Sequence, residues 1–274
     1  MTNKKDNISK EYSKAVESDS NSIVSKTKNA KFADYSDADL SKLPEDIQDN
    51  SFGCGNPLAF SEVQLGEVVL DLGCGAGLDL LIASERVGVT GQVIGVDYND
   101  DMLTLAKNRT ENFTNIQLRK GKIEDLPVDS KSVDWVISNC VINLSNEKQR
   151  AFNEISRVLK PNGKMIVSDI VAENLPWWVR RSGILRAACG GGVISEKQYL
   201  DGLSSAGLEY GQVVDRQYYE AYQLASIVSE AAPTMLRKIR CCGINILDSL
   251  LRKMAEPISK NLWSAKISAS ASKV

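Results

Sequence analysis

Apolar and polar positions change period in a regular rhythm between Gly66 and Val171. Short apolar or alternating runs at Val68–Asp71, Gln92–Asp97, Ile116–Arg119, Val133–Ser138 and Lys164–Val171 read as strands. Helical spacing appears between them over Leu78–Val87, Asp100–Arg109 and Lys148–Leu159. In the second of these, Met102, Leu103, Leu105 and Ala106 supply the apolar stripe. The third is stopped by Pro161-Asn162-Gly163. Strands alternating with helices of this length predict an α/β fold, a doubly wound parallel sheet with right-handed crossovers. Ligands of such sheets bind beyond the carboxyl ends of the strands.

On either side the rhythm is lost. Residues 1–50 are polar and rich in Ser, Asn and Asp, and read as an N-terminal lid segment. Within it Lys10–Val24 could form a surface helix, and Asp34–Asp49 reads as loop with short helical turns. Residues 51–172 form the core. Residues 173–274 are expected to add substrate-side helices and a C-terminal extension that completes the fold. There Leu175–Ala188, carrying Trp177 and Trp178, and Glu196–Ala206 read as helices, and Tyr222–Met254 is mostly helical in character. Leu208–Tyr219 and Leu262–Ala269 read as strands.

The chemistry concentrates at the first strand end. Asp71-Leu72-Gly73-Cys74-Gly75-Ala76-Gly77 follows Val68-Val69-Leu70 and opens the first helix. Strand, glycine turn and helix in succession are the context of a nucleotide-binding loop, because glycine lets the backbone turn tightly and approach a ligand. The second strand ends in Gly95-Val96-Asp97, placing a carboxylate 20 residues beyond Gly77. That is where such folds keep the acid that accepts ribose hydroxyls. The Gly-x-Gly-x-Gly spelling behind an acid resembles the class I S-adenosylmethionine-dependent methyltransferases. The resemblance implies a Rossmann-like core with Asp71 near the donor's amino-acid tail and Gly73, Gly75 and Gly77 as its cradle. It also implies Asp97 on the ribose, Tyr98 and Met102 flanking the adenine, Ile123 and Glu124 at its edge, and Asn139 at the methionine moiety.

Composition narrows the classes. The chain has 274 residues, 33 Lys and Arg against 35 Asp and Glu, and so a formal net charge of −2. This leaves no electrostatic footprint for nucleic acid. No apolar run approaches a bilayer span, and the polar start Met1-Thr2-Asn3-Lys4-Lys5-Asp6 does not read as a secretory leader. A cytoplasmic protein without membrane or nucleic-acid partners is expected, and nothing in the sequence demands more than a monomer. Histidine is absent, which excludes imidazole as base or ligand.

The six cysteines are expected to be reduced, catalytic or metal-binding rather than a structural disulfide framework. Cys54 lies in a turn-rich loop before the first strand, Cys140 directly follows the fourth strand, and Cys189 opens a glycine run. A free cysteine is most often a small buried hydrophobe. Three beside a donor site suggest a pocket for a soft, thiophilic centre. Cys74 reads as a packing residue, and Cys241-Cys242 as packing or surface thiols.

Phe52-Gly53-Cys54-Gly55, the glycine loop, Gly95-Val96-Asp97, Ser138-Asn139-Cys140-Val141-Ile142-Asn143-Leu144 and Ala188-Cys189-Gly190-Gly191-Gly192 together resemble the arsenite methyltransferases over about Ser51 to Gly207. The resemblance implies that Cys140 and Cys189 bind trivalent arsenic as substrate and that Cys54 joins them in a disulfide relay. It also implies a thiol reductant of the thioredoxin or glutathione type, with thioredoxin a candidate partner. Similar proteins often carry a further cysteine upstream, and alanine where this chain has Gly192. The chemistry suits the composition, because the arsenic lone pair bears no proton and needs no base. Two other readings remain open from the residues: a general small-molecule methyltransferase with incidental cysteines, and a non-catalytic metalloid-binding protein.

Overall fold

The computed structural model describes Tyr35 and residues 55–174, 192–218 and 259–273. The helices expected over Lys10–Val24, Leu175–Ala188 and Tyr222–Met254 lie outside the described residues. So do Trp177, Trp178, Cys54, Cys189, Cys241 and Cys242.

Strands β1 (Val68–Leu72), β2 (Gln92–Asp97), β3 (Ile116–Lys120), β4 (Val133–Asn139) and β5 (Leu159–Ala172) pair in parallel. Helices α1 (Leu78–Val87), α2 (Asp100–Thr110) and α3 (Lys148–Val158) supply crossovers. After α4 (Glu196–Ser205) come β6 (Leu208–Tyr218) and β7 (Leu262–Ala271). The seven strands form one sheet in the order β3-β2-β1-β4-β5-β7-β6. The expected doubly wound parallel sheet is found over β1–β5, and the two C-terminal strands, whose direction the pattern leaves open, extend it. β7 runs antiparallel to both β5 and β6. Alternation along a strand marks its faces but not its partner's direction, and the pairing Val171↔Trp263 joins residues far apart in sequence.

The third helix ends at Val158, as the proline predicts, since Pro161 has no N–H to continue it. Its last carbonyls are taken up by the amides of Lys131 and Ser132. The fifth strand starts earlier than expected. It pairs Leu159 with Val133, then bulges so that Lys164 meets Trp135. Asn162 sits in that bulge at φ 62°, a conformation asparagine tolerates.

Side chains alternate across the sheet into two cores. Leu70, Leu72, Val136 and Val167 pack on one face with Phe152, Ile155 and Tyr199. Val69, Val93, Ile137 and Ile166 pack on the other with Leu58, Leu80 and Leu81. Each such buried side chain contributes about 1.5–3 kcal/mol, which holds the strand ends, and the loops between them, in register. Among the described residues no helix is long and apolar enough to cross a membrane.

Candidate active site at the carboxyl ends of the strands

The glycine loop is held by its neighbour strand. The amides of Gly73 and Cys74 donate to the Val96 carbonyl at 2.7 and 3.1 Å, and that of Gly77 donates to the Cys74 carbonyl at 2.9 Å. Gly73 and Gly77 have φ of +65° and +93°, where a side chain is strained. Gly73 has a second constraint, because a Cβ there would stand 2.5 Å from Cγ2 of Val141. Cys74 is buried and free. Burial, reinforced by Asp71 and Asp97, pushes its thiol well up from the usual value, so it remains protonated and inert.

Asp97 closes β2. Its Oδ2 accepts from the Gly75 amide at 2.9 Å and its Oδ1 from the Asn99 amide at 2.8 Å. Burial raises its pKa, and these amides only partly offset the rise. Asn99 in turn caps α2, accepting from the amides of Asp101 and Met102.

Asp71, at the end of β1, is 2 % exposed, and its Oδ2 has no hydrogen-bond partner among the described residues. Around it lies a buried polar group that periodicity could not locate. The Tyr35 hydroxyl donates to Asp79 Oδ1 at 2.7 Å. Asn139 Nδ2 donates to the Gly55 carbonyl at 2.5 Å and lies 3.1 Å from the Tyr35 hydroxyl and 3.3 Å from Asp79 Oδ2. Burial raises Asp79 to about 6, against the pull of Tyr35, Asn139 and Arg86. Burial also lifts Asp71 well above the carboxylate range, with the charges of Asp79 and Asp97 adding to it.

These features fit S-adenosylmethionine. A cationic ligand bearing an ammonium and hydroxyl donors would complete the unpartnered Asp71 oxygen and the remaining lone pairs of Asp97. The acidic surroundings favour positive charge, and the cradle admits close backbone approach. Of the residues expected at the adenine, Tyr98 is 40 % exposed, with Lys122 Nζ 5.5 Å from its ring centroid. Met102 and Ile123 are buried. Glu124 is also buried, and its Oε1 accepts from the Ser145 hydroxyl at 2.5 Å.

The thiol side is built by the turn after β4. Cys140 has φ +60°, an uncommon conformation for a residue with a side chain and one that occurs at functional sites. Its amide is fixed by the Ser168 carbonyl at 2.8 Å. Cys140 takes part in a disulfide. The next residue, Val141, presses on Gly73, and Ser145 at the far end holds Glu124. One short turn thus touches both the glycine loop and the Ile123–Glu124 loop. The expected roles of Cys54 and Cys189 fall outside the described residues.

Tyr35, Asp79, Val141 and Ser145 were not singled out from the sequence. Asp79 carried the one usable signal, an acid just inside the helix that follows the glycine loop.

The family model described as a methyltransferase domain matches residues 64–209, more than half of the chain. The chain belongs to this family of methyltransferase domains. Among its curated relatives, an arsenite methyltransferase of Halobacterium salinarum is 48% identical over 140 residues, covering 49% of this chain and 35% of the relative. An arsenite methyltransferase of Aquipseudomonas alcaligenes is 35% identical over 165 residues, covering 57% of this chain and 47% of the relative. This methyltransferase chain therefore spans less than half the length of these relatives. In structure it is similar to an arsenic(III) S-adenosylmethionine methyltransferase from Chlamydomonas reinhardtii. The TM-score is 0.65 at 27% identity, over 86% of this chain and 73% of that one.

Proposed function

We propose that the protein is an S-adenosylmethionine-dependent arsenite methyltransferase, which methylates trivalent arsenic held by cysteine thiolates. The observation that carries this reading is the placement of Cys140. It sits at a strand end, on the turn packed against Gly73 of the donor cradle, in a left-handed conformation and in a disulfide. The likeness to arsenite methyltransferases supports the same reading.

When bound, S-adenosylmethionine supplies an electrophilic methyl group on a sulfonium. Asp71 receives the amino-acid tail and Asp97 the ribose, while Tyr98, Met102, Ile123 and Glu124 enclose the adenine. Asn139 lines the methionine moiety. Cys140 and Cys189 hold the arsenic as thiolates and orient its lone pair toward the methyl. No protein base is required, because the attacking lone pair carries no proton. Positioning then supplies much of the rate. Methyl transfer oxidises arsenic to the pentavalent state. Two thiols restore the trivalent state by giving up two electrons and closing a disulfide. Cys54 belongs to that relay, and the Cys140 disulfide is the form such a relay leaves behind. An external thiol of the thioredoxin or glutathione class reopens it by exchange.

The test uses purified protein with S-adenosylmethionine, arsenite and excess thiol, separating arsenic species by chromatography with elemental detection. Methylated arsenic is expected from wild type and not from Cys140→Ser. No methylated arsenic from wild type, with S-adenosylhomocysteine binding intact, would refute the assignment and redirect the search to organic acceptors.

A further inference from the structure

Behind the Cys140 turn lies a second buried polar cluster, on the opposite sheet face from Asp71. Asp169 on β5 and Tyr199 on α4 are both fully buried, and the Tyr199 hydroxyl donates to Asp169 Oδ2 at 3.0 Å. The Asn143 backbone amide lies close enough to favour the ionised carboxylate, as does the Lys148 charge. Asn143 is 2 % exposed, and its Nδ2 donates to the Ile170 carbonyl at 2.6 Å. Asn143 and Cys140 thus dock on adjacent stretches of one strand, since the Cys140 amide is held by Ser168.

The same cluster seats a second segment. Lys148 Nζ donates to the Ser145 carbonyl at 2.7 Å and lies 3.3 Å from the Asn143 carbonyl oxygen. Gly192 fits against these two groups without a side chain. A Cβ there would stand 2.0 Å from the Asn143 carbonyl oxygen and 2.7 Å from Lys148 Nζ. Two residues on, the Ile194 carbonyl accepts from the Ala172 amide at 3.2 Å. The Gly192 segment is therefore packed closely against the Cys140 turn and hydrogen-bonded to the end of β5.

This arrangement is costly if its purpose is packing alone. Asp169 Oδ1 and Asn143 Oδ1 are buried and have no partner among the described residues. Each such atom costs about 1–3 kcal/mol, and an aliphatic pair would fill the volume without that loss. What the polar groups provide, and aliphatic ones cannot, is directional attachment of one turn to two elements at once.

We propose that Asp169 and Tyr199 are positioning residues for the acceptor side, holding through Asn143 the Cys140 turn and the Gly192 segment in one fixed relation. The sequence puts Gly192 three residues after Cys189, so the clamp joins the two stretches to which arsenic binding is assigned. In that respect the inference rests on the function proposed above. The clamp itself does not depend on arsenic chemistry, and its test reads the Cys140 disulfide directly.

The test equilibrates the full-length protein with glutathione redox buffers and measures, by alkylation and mass spectrometry, the fraction of Cys140 in disulfide. Wild type is compared with Tyr199→Phe, Asp169→Asn and Gly192→Ala, with S-adenosylhomocysteine affinity measured in parallel. Tyr199→Phe removes one hydrogen bond without changing shape, and thermal unfolding checks that each variant is folded. The clamp predicts that the disulfide equilibrium constant shifts by about fivefold or more in Tyr199→Phe and in Gly192→Ala, the scale of one hydrogen bond. Val141 and Ser145 of the same turn meet Gly73 and Glu124, so donor-analogue affinity should change in the same variants, but by less than the disulfide constant. An unchanged disulfide equilibrium in both variants would overturn the inference, as would a loss of donor affinity larger than the disulfide shift. Should wild type form no methylated arsenic while the disulfide equilibrium still shifts, the arsenic assignment falls and the clamp stands.

Discussion

Two carboxylates show at the residue scale how burial changes chemistry. Asp79 and Asp169 are both displaced upward because desolvation outweighs their hydrogen bonds, Asp79 to about 6 and Asp169 to about 7. An acid whose folded pKa is raised favours the folded state while it is protonated. For Asp169 that contribution is fully present below the usual 3.8 and is lost as pH rises through about 7. Tyr199, Lys148 and the Asn143 backbone amide keep the shift from being larger. Asp169→Asn has no proton to lose. Chemical denaturation at pH 4.5 and pH 8 should therefore show the stability of wild type, relative to the variant, falling with pH. A difference that is the same at both pH values would mean the carboxyl does not titrate in this window. The motif acids Asp71 and Asp97 could be read directly from the sequence. Asp169 could not, because it lies in Lys164–Val171, a stretch whose pattern reads simply as a core strand.

At the scale of elements, the turn from Cys140 to Ser145 is the joint of the site. It meets the glycine loop at Val141 and Gly73 and the loop before β4 at Ser145 and Glu124. Gly73→Ala should be damaging for two separable reasons. The φ of +65° disfavours any side chain, and the new methyl would collide with the Val141 side chain. The backbone part costs about 1–2 kcal/mol, and overpacking adds about 1–3 kcal/mol. Val141→Ala removes the collision but not the backbone strain. Calorimetric titration with S-adenosylhomocysteine should accordingly find affinity lost in Gly73→Ala and partly regained in the double variant. No regain would show that Val141 does not set the loop's position. The glycine spacing could be read from the sequence, but the valine against which it packs, 68 positions later, could not.

Over the whole molecule, the sheet carries the site on its middle strands and leaves β3 and β6 at the edges. Edge strands have one unpaired row of backbone groups and open more readily. β6 also exposes Tyr210 and Tyr218 and pairs with β7 through two irregularities. β1, β4 and β5 are flanked on both sides, and β5 with β7 keeps an unbroken register from Lys164↔Ser270 to Ala172↔Leu262. Native-state hydrogen exchange should find the amides of β1, β4 and β5 the slowest and those of β6 faster by at least about tenfold. Equal protection across the sheet would argue that it opens only as one unit.

Local sequence by itself determined the helices that the structure describes, the five parallel strands and the glycine loop. Each of these rests on a short-range cause: hydrophobic period, a proline that cannot continue a helix, glycines free to take positive φ. The cysteine pattern and the absence of histidine likewise pointed toward thiolate chemistry without a base. Only the tertiary structure decided the direction of β7, the burial of Tyr35 against Asp79, the seat of Gly192 on Asn143, and which polar atoms lack a partner among the described residues. These depend on groups distant in sequence being desolvated together. Neither periodicity nor spacing carries that information, because burial and hydrogen-bond partnership are properties of the packed chain.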